Sequence, residues 1–428
     1  MEKNQNDFEL SELEPRKKER KFGTGLAVGI IAGILATGIG TSLAVNLYTK
    51  ATDNYLILGP KNVHTASKND VLDAKTEKKI EELLSYVDLY YNDTYKEDDI
   101  RDAIYKGTMS GLKDPYSVYY TKDEYKSLNE QTSGAYYGIG VLLSQNPDTM
   151  KVTVSKVFGK TPAEEAGLRA EDQIVKVEDC DSSSVQLSEL VKKIRGEEGT
   201  KVHLKIYRPS TKETLEVDVE RKNVNIPSVE ARMLSDGIGY IQISEFQNNT
   251  VSQFKKEMEK LKQQDMKGLI VDVRGNPGGL VSSVTEILDE ILPEGTTVYT
   301  EDKYGRRKTY QSDSSCEKYP MAVLVDKNSA SASEIFAGAI KDYNYGTLIG
   351  TKTFGKGIVQ SVFPLKDGTA IKLTTAKYYT TKGNYIHGVG IEPDIKLEYN
   401  YSGPKDEDYD MKYDNQLQKA IQVVKDKL

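Results

Sequence analysis

MAVLVDKNSASASEIFAGAIKDY, residues 321–343, is the stretch on which the fold turns. Its first five residues are apolar without alternation, the pattern of a short strand buried on both faces. Its last thirteen read as a helix, Ser331–Tyr343, and the three serines that alternate with alanines, Ser329, Ser331 and Ser333, straddle the helix start just after Asn328. Strand, tight turn and helix therefore follow one another within about twenty residues. The same alternation continues on both sides. Upstream come a strand at 239–243, a helix at 250–264 with Val251, Phe254, Met258 and Leu261 on one face, a strand at 268–273 and a helix at 280–292. Downstream a strand at 347–350 completes the set. Strands alternating with helices imply a layered α/β core, here 223–400. A last helix, 414–428, falls in a tail segment 401–428.

Further out the pattern changes twice. Residues 134–222 carry short strand-like runs at 141–143, 151–156, 172–177, 202–207 and 214–219, with one helix near 187–194, and read as a separate β-rich domain. Residues 75–133 read as all-helical. Ile80, Leu83, Leu84, Val87 and Tyr91 recur at helical spacing, a second helix spans 97–112 and a third 122–131. Residues 49–74 are polar and weakly patterned, as in a stalk. Before them, residues 23–48 hold no charge and are long enough to cross a bilayer, which takes roughly 20 apolar residues. Arg16, Lys17, Lys18, Arg20 and Lys21 precede this run, so residues 1–22 are expected on the cytoplasmic side and everything after it outside. A cleaved signal peptide is the competing reading, with Ser42-Leu43-Ala44 as the cleavage site. The run continues past that site, which favours an uncleaved single-pass anchor. Under either reading the rest is exported.

Composition excludes several functions. The 428 residues are long enough for several domains, and 29% charged against 38% hydrophobic is ordinary for soluble folded protein. A net charge of −7 argues against nucleic-acid binding, which needs a basic face. Cys180 and Cys316 are too few for a disulfide scaffold, and nothing in the sequence says whether they meet. His64, His203 and His387 match no metal-ligand spacing, so neither a metal nor a cofactor is expected.

Three motifs in the α/β part could carry chemistry. In NSASASEI, 328–335, Ser331 and Glu334 fit the S-x-x-E capping box, a purely structural device. A serine at a strand-to-helix turn can also present its hydroxyl where helix amides stabilise a developing oxyanion. GTKTFGKG, 350–357, nearly matches the phosphate-binding P-loop. It lacks the Ser/Thr after its lysine and runs on as strand, which excludes a nucleotide site. What remains is Lys356 between two glycines, either a surface lysine in a hairpin or a base made neutral by desolvation. On a strand Lys356, Ile358 and Gln360 share a face, so the Gln360 amide is expected to steady the Lys356 amine. DVRGNPGG, 272–279, ends a buried strand on a turn whose bare glycine backbone suits an oxyanion donor.

The three motifs in this order closely resemble the carboxy-terminal processing peptidases, or tail-specific proteases, over residues 75–428. The resemblance implies a Ser–Lys serine protease with an embedded PDZ domain. Its expected fold class is α+β multidomain: an N-terminal transmembrane helix, a helical block, the PDZ domain and a layered α/β core of the crotonase/ClpP type. It implies Ser331 as nucleophile, Lys356 as base and Gln360 as the partner orienting it. The backbone amides of Gly278 and Ala332 become the oxyanion donors, and Asp342 a supporting acid. Tyr137, Gly138, Ile139, Gly140 and Val141 match the PDZ carboxylate-binding loop, which holds a chain end added as a β-strand. TPAEEAGL, 161–168, matches the turn–helix segment; Glu171 stands where the family usually has glycine. Arg195 resembles a residue coupling the PDZ domain to the protease in some members. By analogy with relatives the helical block and the C-terminal helix build a homodimer.

The expected function is thus an exported, membrane-anchored serine endopeptidase acting on protein substrates with exposed C-terminal tails. The alternative is a catalytically inactive PDZ protein that binds such tails, against which Ser331, Lys356 and Gln360 all stand intact. An acyl-CoA enzyme of the related crotonase-like fold would need a CoA-phosphate site, and the sequence offers none.

Overall fold

A computed structural model describes residues 70–404 and 409–428. The expected anchor at 23–48, the tail before it and nearly all of the stalk lie outside the described residues. Among those described, no helix is long and apolar enough to cross a membrane.

The N-terminal block consists of α1 (Ala74–Tyr90), α2 (Glu97–Ser110) and α3 (Lys122–Ser133), with a strand between the last two, β1 (Val118–Tyr120). The reading of this block as all-helical is corrected by β1, which pairs antiparallel with Ala370–Lys372 some 250 residues later. Three residues are too short a run for a period-2 signal to register. Local chemistry explains the helix starts. The Asp73 side chain accepts from Thr76 N–H ahead of α1, and Thr121 with Glu124 forms a capping box ahead of α3.

The β domain begins with β2 (Ala135–Gly138), followed by β3 (Val141–Gln145), β4 (Val152–Val157), the short α4 (Pro162–Glu165), β5 (Gln173–Val177) and β6 (Cys180–Asp181). After these come α5 (Leu187–Ile194), β7 (Lys201–Arg208), β8 (Glu213–Glu220) and β9 (Lys222–Asn225). β2 and β9 pair as a two-stranded neck. The domain sheet runs β3-β4-β5-β7-β8, leaving β3 as an edge strand. Its core is separate, formed by Ile139, Val152, Val154, Ile174, Leu190, Val202, Leu204 and Ile206. Strict alternation in β7 buries Val202, Leu204, Ile206 and Arg208, and Arg208 closes on buried Asp172 at 2.8 Å. Glu171 adopts the left-handed conformation (φ 72°) that the expected glycine would take without strain.

The α/β core continues through β10 (Val229–Met233), β11 (Ile238–Ile243), α6 (Thr250–Lys262), β12 (Gly268–Asp272), α7 (Val281–Asp289), β13 (Gly295–Asp302) and β14 (Arg307–Ser312). It ends with β15 (Met321–Val325), α8 (Ala332–Asp342), β16 (Thr347–Gly350), β17 (Ile358–Pro364), β18 (Ala370–Thr380), β19 (Ile395–Lys396) and α9 (Asn415–Lys425). The central sheet is ordered β10-β11-β12-β15-β16-β19, parallel except for β10. Phe254, Met258, Val284, Ile287, Ile335 and Phe336 cover one face, and Leu417, Ala420 and Val424 of α9 the other. β12 and β15 are buried throughout, which is why they carry no alternation. A second, antiparallel sheet is built on the long β18, which pairs with β1, β13 and β17. β12 and β15 are parallel neighbours, so the loops after their C-terminal ends lie side by side. That edge is where ligands meet open α/β sheets.

Candidate active site

The turn after β15 separates its three serines by environment. Ser329 and Ser333 are fully buried, and their hydroxyls donate to the carbonyls of Val273 (2.8 Å) and Asn276 (2.9 Å). Both bonds tie the serine turn to the neighbouring 272–279 loop. Ser331 between them is partly exposed and lines a cavity of about 310 Å³. Its backbone (φ 54°, ψ −114°) is in a region that side-chain-bearing residues rarely occupy, costing roughly 1–3 kcal/mol. Such strain persists only where surrounding contacts over-determine it.

Those contacts come chiefly from Glu334, a buried residue one turn into α8. Its Oε2 accepts the N–H of Ser331 at 2.9 Å, the contact that a capping box would make. The same oxygen accepts the N–H of Lys356 at 2.8 Å, while Oε1 accepts the N–H of Gly355 (2.7 Å) and the hydroxyl of Thr353 (2.6 Å). One carboxylate thus holds the serine turn and the lysine loop together. Tyr378 makes a second tie: its buried hydroxyl shares its proton between the carbonyls of Lys356 (2.6 Å) and Ser331 (3.1 Å). Burial pushes the Tyr378 pKa well up, assisted by the Glu334 charge, so the phenol stays a donor.

Lys356 lines the same cavity as Ser331. Desolvation first, then the Lys372 charge, lower its pKa below the usual lysine value, against opposing pulls from Asp114 and Glu334. Among the described residues its Nζ has no hydrogen-bond or ion-pair partner and sits 4.6 Å from the centre of the Tyr116 ring. The expected contact with Gln360 does not form. β17 begins only at Ile358, so Lys356 lies before the strand and the strand alternation that would place residues 356 and 360 on one face does not extend to it. Gln360 lines the cavity but donates from Nε2 to Thr374 Oγ1 at 3.3 Å.

The two expected oxyanion amides differ. Ala332 is the first residue of α8, and among the described residues its N–H has no partner, as expected of a helix's first donors. The Gly278 N–H is engaged: it donates to Asn276 Oδ1 at 2.8 Å inside the Asn-Pro-Gly turn. Gly278 nonetheless packs against the serine turn, because a Cβ there would lie 2.8 Å from Ser331 Cβ and 2.9 Å from the Ala332 nitrogen. Asp342 is at the other end of α8, roughly 16 Å along the helix from Ser331. Its carboxylate accepts the N–H of Lys382 (2.8 Å) and does not reach the cavity.

The loop 138–140 lies away from these groups in the β domain, between β2 and the edge strand β3. Gly138, Ile139 and Gly140 are buried, Tyr137 is exposed and Val141 opens β3. Arg195 caps the end of α5, ion-paired to Glu130 of α3 at 2.7 Å. Cys180 and Cys316 are both free. Of the residues that hold or surround Ser331 and Lys356, Glu334 showed in the sequence only as a cap. Tyr116, Lys372 and Tyr378 left no local signal, since they arrive from other strands and loops.

A serine held in a strained turn at a helix N-terminus, beside a desolvated lysine, is the equipment of a serine peptidase that works without histidine. Comparison with known proteins agrees. Residues 237–397 match peptidase family S41 and residues 136–219 match the PDZ domain. The chain is 34% identical over 387 residues to the carboxy-terminal processing protease CtpB of Bacillus subtilis, covering 89% of this chain and 79% of that one. It is 36% identical over 364 residues to a CtpA-like serine protease of Staphylococcus aureus, covering 84% and 71%. A solved photosystem II D1 C-terminal processing protease is 28% identical, covering 74% of this chain and 86% of that one, with a TM-score of 0.44. The chain belongs to the S41 peptidases, as a carboxy-terminal processing serine protease with a PDZ domain.

Proposed function

We propose that this protein is an exported, membrane-anchored endopeptidase that grips the C-terminal tails of protein substrates through its PDZ domain and cleaves upstream of the chain end. Ser331 is the nucleophile: its Oγ attacks the scissile carbonyl as neutral Lys356 takes the proton, giving a tetrahedral intermediate. Lys356 then passes that proton to the leaving amine, and the same lysine activates the water that hydrolyses the acyl-enzyme. The observation that carries this reading is the buried Glu334 carboxylate, which binds on one oxygen the backbones of Ser331 and Lys356, two residues that line one cavity. The free Ala332 amide suits the oxyanion; Gly278 can join it once its N–H leaves Asn276. Nζ is over the Tyr116 ring, so this mechanism requires the lysine stem to swing the amine to Ser331 when substrate binds.

The uncharged run 23–48 behind five basic residues supports a single-pass anchor with the catalytic part outside. Leu83, Tyr86, Leu89 and Tyr90 are all more than half exposed on α1, where no residue is buried, and this supports a homodimer through the helical block. The test is cleavage of a peptide with an apolar C-terminus, followed by mass spectrometry. The wild-type chain is expected to cut it and Ser331→Ala and Lys356→Ala to bind without cutting. Equal cleavage by all three would discard the Ser–Lys assignment.

A further inference from the structure

The PDZ loop that should receive a substrate carboxylate is not empty in the resting protein. The carbonyls of Ile139 and Gly140 are bonded into the domain, accepting N–H groups from Ala163 (2.8 Å) and Phe158 (3.0 Å). In a trans peptide the next residue's N–H points opposite to that carbonyl, so the amides of Gly140 and Val141 point out of the domain. The Tyr136 hydroxyl approaches them without completing a hydrogen bond to either. Tyr136 and Gly138 share one face of β2, and the ring lies along bare glycine backbone: a Cβ on Gly138 would fall 2.5 Å from a Tyr136 ring carbon. Only glycine at 138 lets the ring reach the loop.

Arg195 also holds the ring. Its guanidinium stacks 4.6 Å from the Tyr136 centroid while Nη1 pairs with Glu130 of α3, and Nε is buried with no hydrogen-bond partner among the described residues. The resting loop therefore has its outward amides facing a phenol oxygen, and a cation beside it keeps one donor unused. Both are conditions that an arriving carboxylate improves, because charged acceptors bond amides and guanidinium more strongly than a neutral hydroxyl does.

We propose that Tyr136 is an internal occupant of the carboxylate cradle, which a substrate's C-terminal carboxylate must displace, breaking the Tyr136–Arg195 stack as it enters. The proposal rests on the tail-binding reading above. Burial raises the Tyr136 pKa, so the occupant is a neutral phenol that gives way to an anion.

The experiment is fluorescence anisotropy with the full chain carrying Ser331→Ala, using a labelled peptide with an apolar C-terminus, either as the free acid or as the C-terminal amide. Adding Tyr136→Phe keeps the ring and its stack on Arg195 but removes the competing oxygen. Removing the oxygen that stands before the amides should tighten free-acid binding, by up to roughly 3- to 10-fold, and leave the amide unchanged. Free-acid binding that is unchanged or weaker in Tyr136→Phe overturns the proposal, as does equal tightening of acid and amide. If the parent chain itself shows no preference for the acid, the tail-binding reading fails and the proposal falls with it. Hydrogen exchange at Gly140 and Val141 is an independent check. It should quicken in Tyr136→Phe and slow when free-acid peptide binds; exchange indifferent to the substitution would also overturn the proposal.

Discussion

Glu334→Gln tests whether one buried carboxylate sets the geometry of the site. The carboxylate receives four donors: the amides of Ser331 and Lys356 on Oε2, and the Gly355 amide and Thr353 hydroxyl on Oε1. An amide side chain keeps only one oxygen. Its least costly orientation keeps that oxygen at the Oε2 position and puts the NH₂ at Oε1. There the NH₂ can donate to Thr353 Oγ1, which already accepts Ile391 N–H at 2.7 Å and has a second lone pair. The Gly355 amide is then left facing another donor. A buried donor without a partner costs about 1–3 kcal/mol, and the bonds that remain lose their charge assistance. The lower desolvation cost of a neutral side chain offsets part of this. The expected net destabilisation is about 2–4 kcal/mol. The readout is urea denaturation of both proteins alongside peptide cleavage at a temperature where both are folded. Cleavage should fall at least tenfold in kcat with little change in KM, because the Gly355 contact anchors the lysine loop and not the substrate. A stability loss below about 1 kcal/mol, or unchanged kcat in a destabilised protein, would refute the coupling.

Two further outcomes follow from the same cavity. Cleavage should rise with pH through the Lys356 pKa, because the base must be neutral, and that limb should lie below the ordinary lysine range, since desolvation and Lys372 depress it. Lys372→Met removes the like charge and should move the limb to higher pH; a pH profile with no shift, or a downward one, contradicts the electrostatic assignment. Gly278→Ala forces a side chain into φ 110° with its Cβ 2.7 Å from the Ala330 carbonyl, a strain of roughly 1–3 kcal/mol in the serine turn. Cleavage should drop about a hundredfold or more while tail-peptide affinity measured by anisotropy stays at the parent value; near-normal cleavage would show that this turn tolerates displacement.

The parts that were legible in the sequence are those whose signal is local. β12 and β15 announced themselves as apolar runs because both of their faces are covered, and α6 because Phe254, Met258 and Leu261 recur on its buried face. The second sheet escaped. β14 alternates, but its Arg-Lys-Thr-Tyr-Gln-Ser composition buries only Ser312, and most of β18 is half-buried, so neither contrasts with a loop. The Lys356–Gln360 pairing does not form for a related reason: strand periodicity does not reach a lysine that precedes β17.

The sequence by itself determined the chemical inventory: a serine at a strand-to-helix turn, a lysine between glycines and a glycine turn in the neighbouring loop. These are fixed by residues a few positions apart, where bond geometry and capping leave little choice. Tertiary structure alone decided which of those groups meet. Ser331 to Glu334 spans three residues and reads as a cap from sequence. The other oxygen contacts of Glu334 come from residues 19 to 22 positions further on, and Tyr378 comes from 47 positions beyond Ser331. No periodicity encodes such contacts. They exist because β15 and β16 pair side by side and β18 packs under both loops, so that burial, and not spacing, selects the partners.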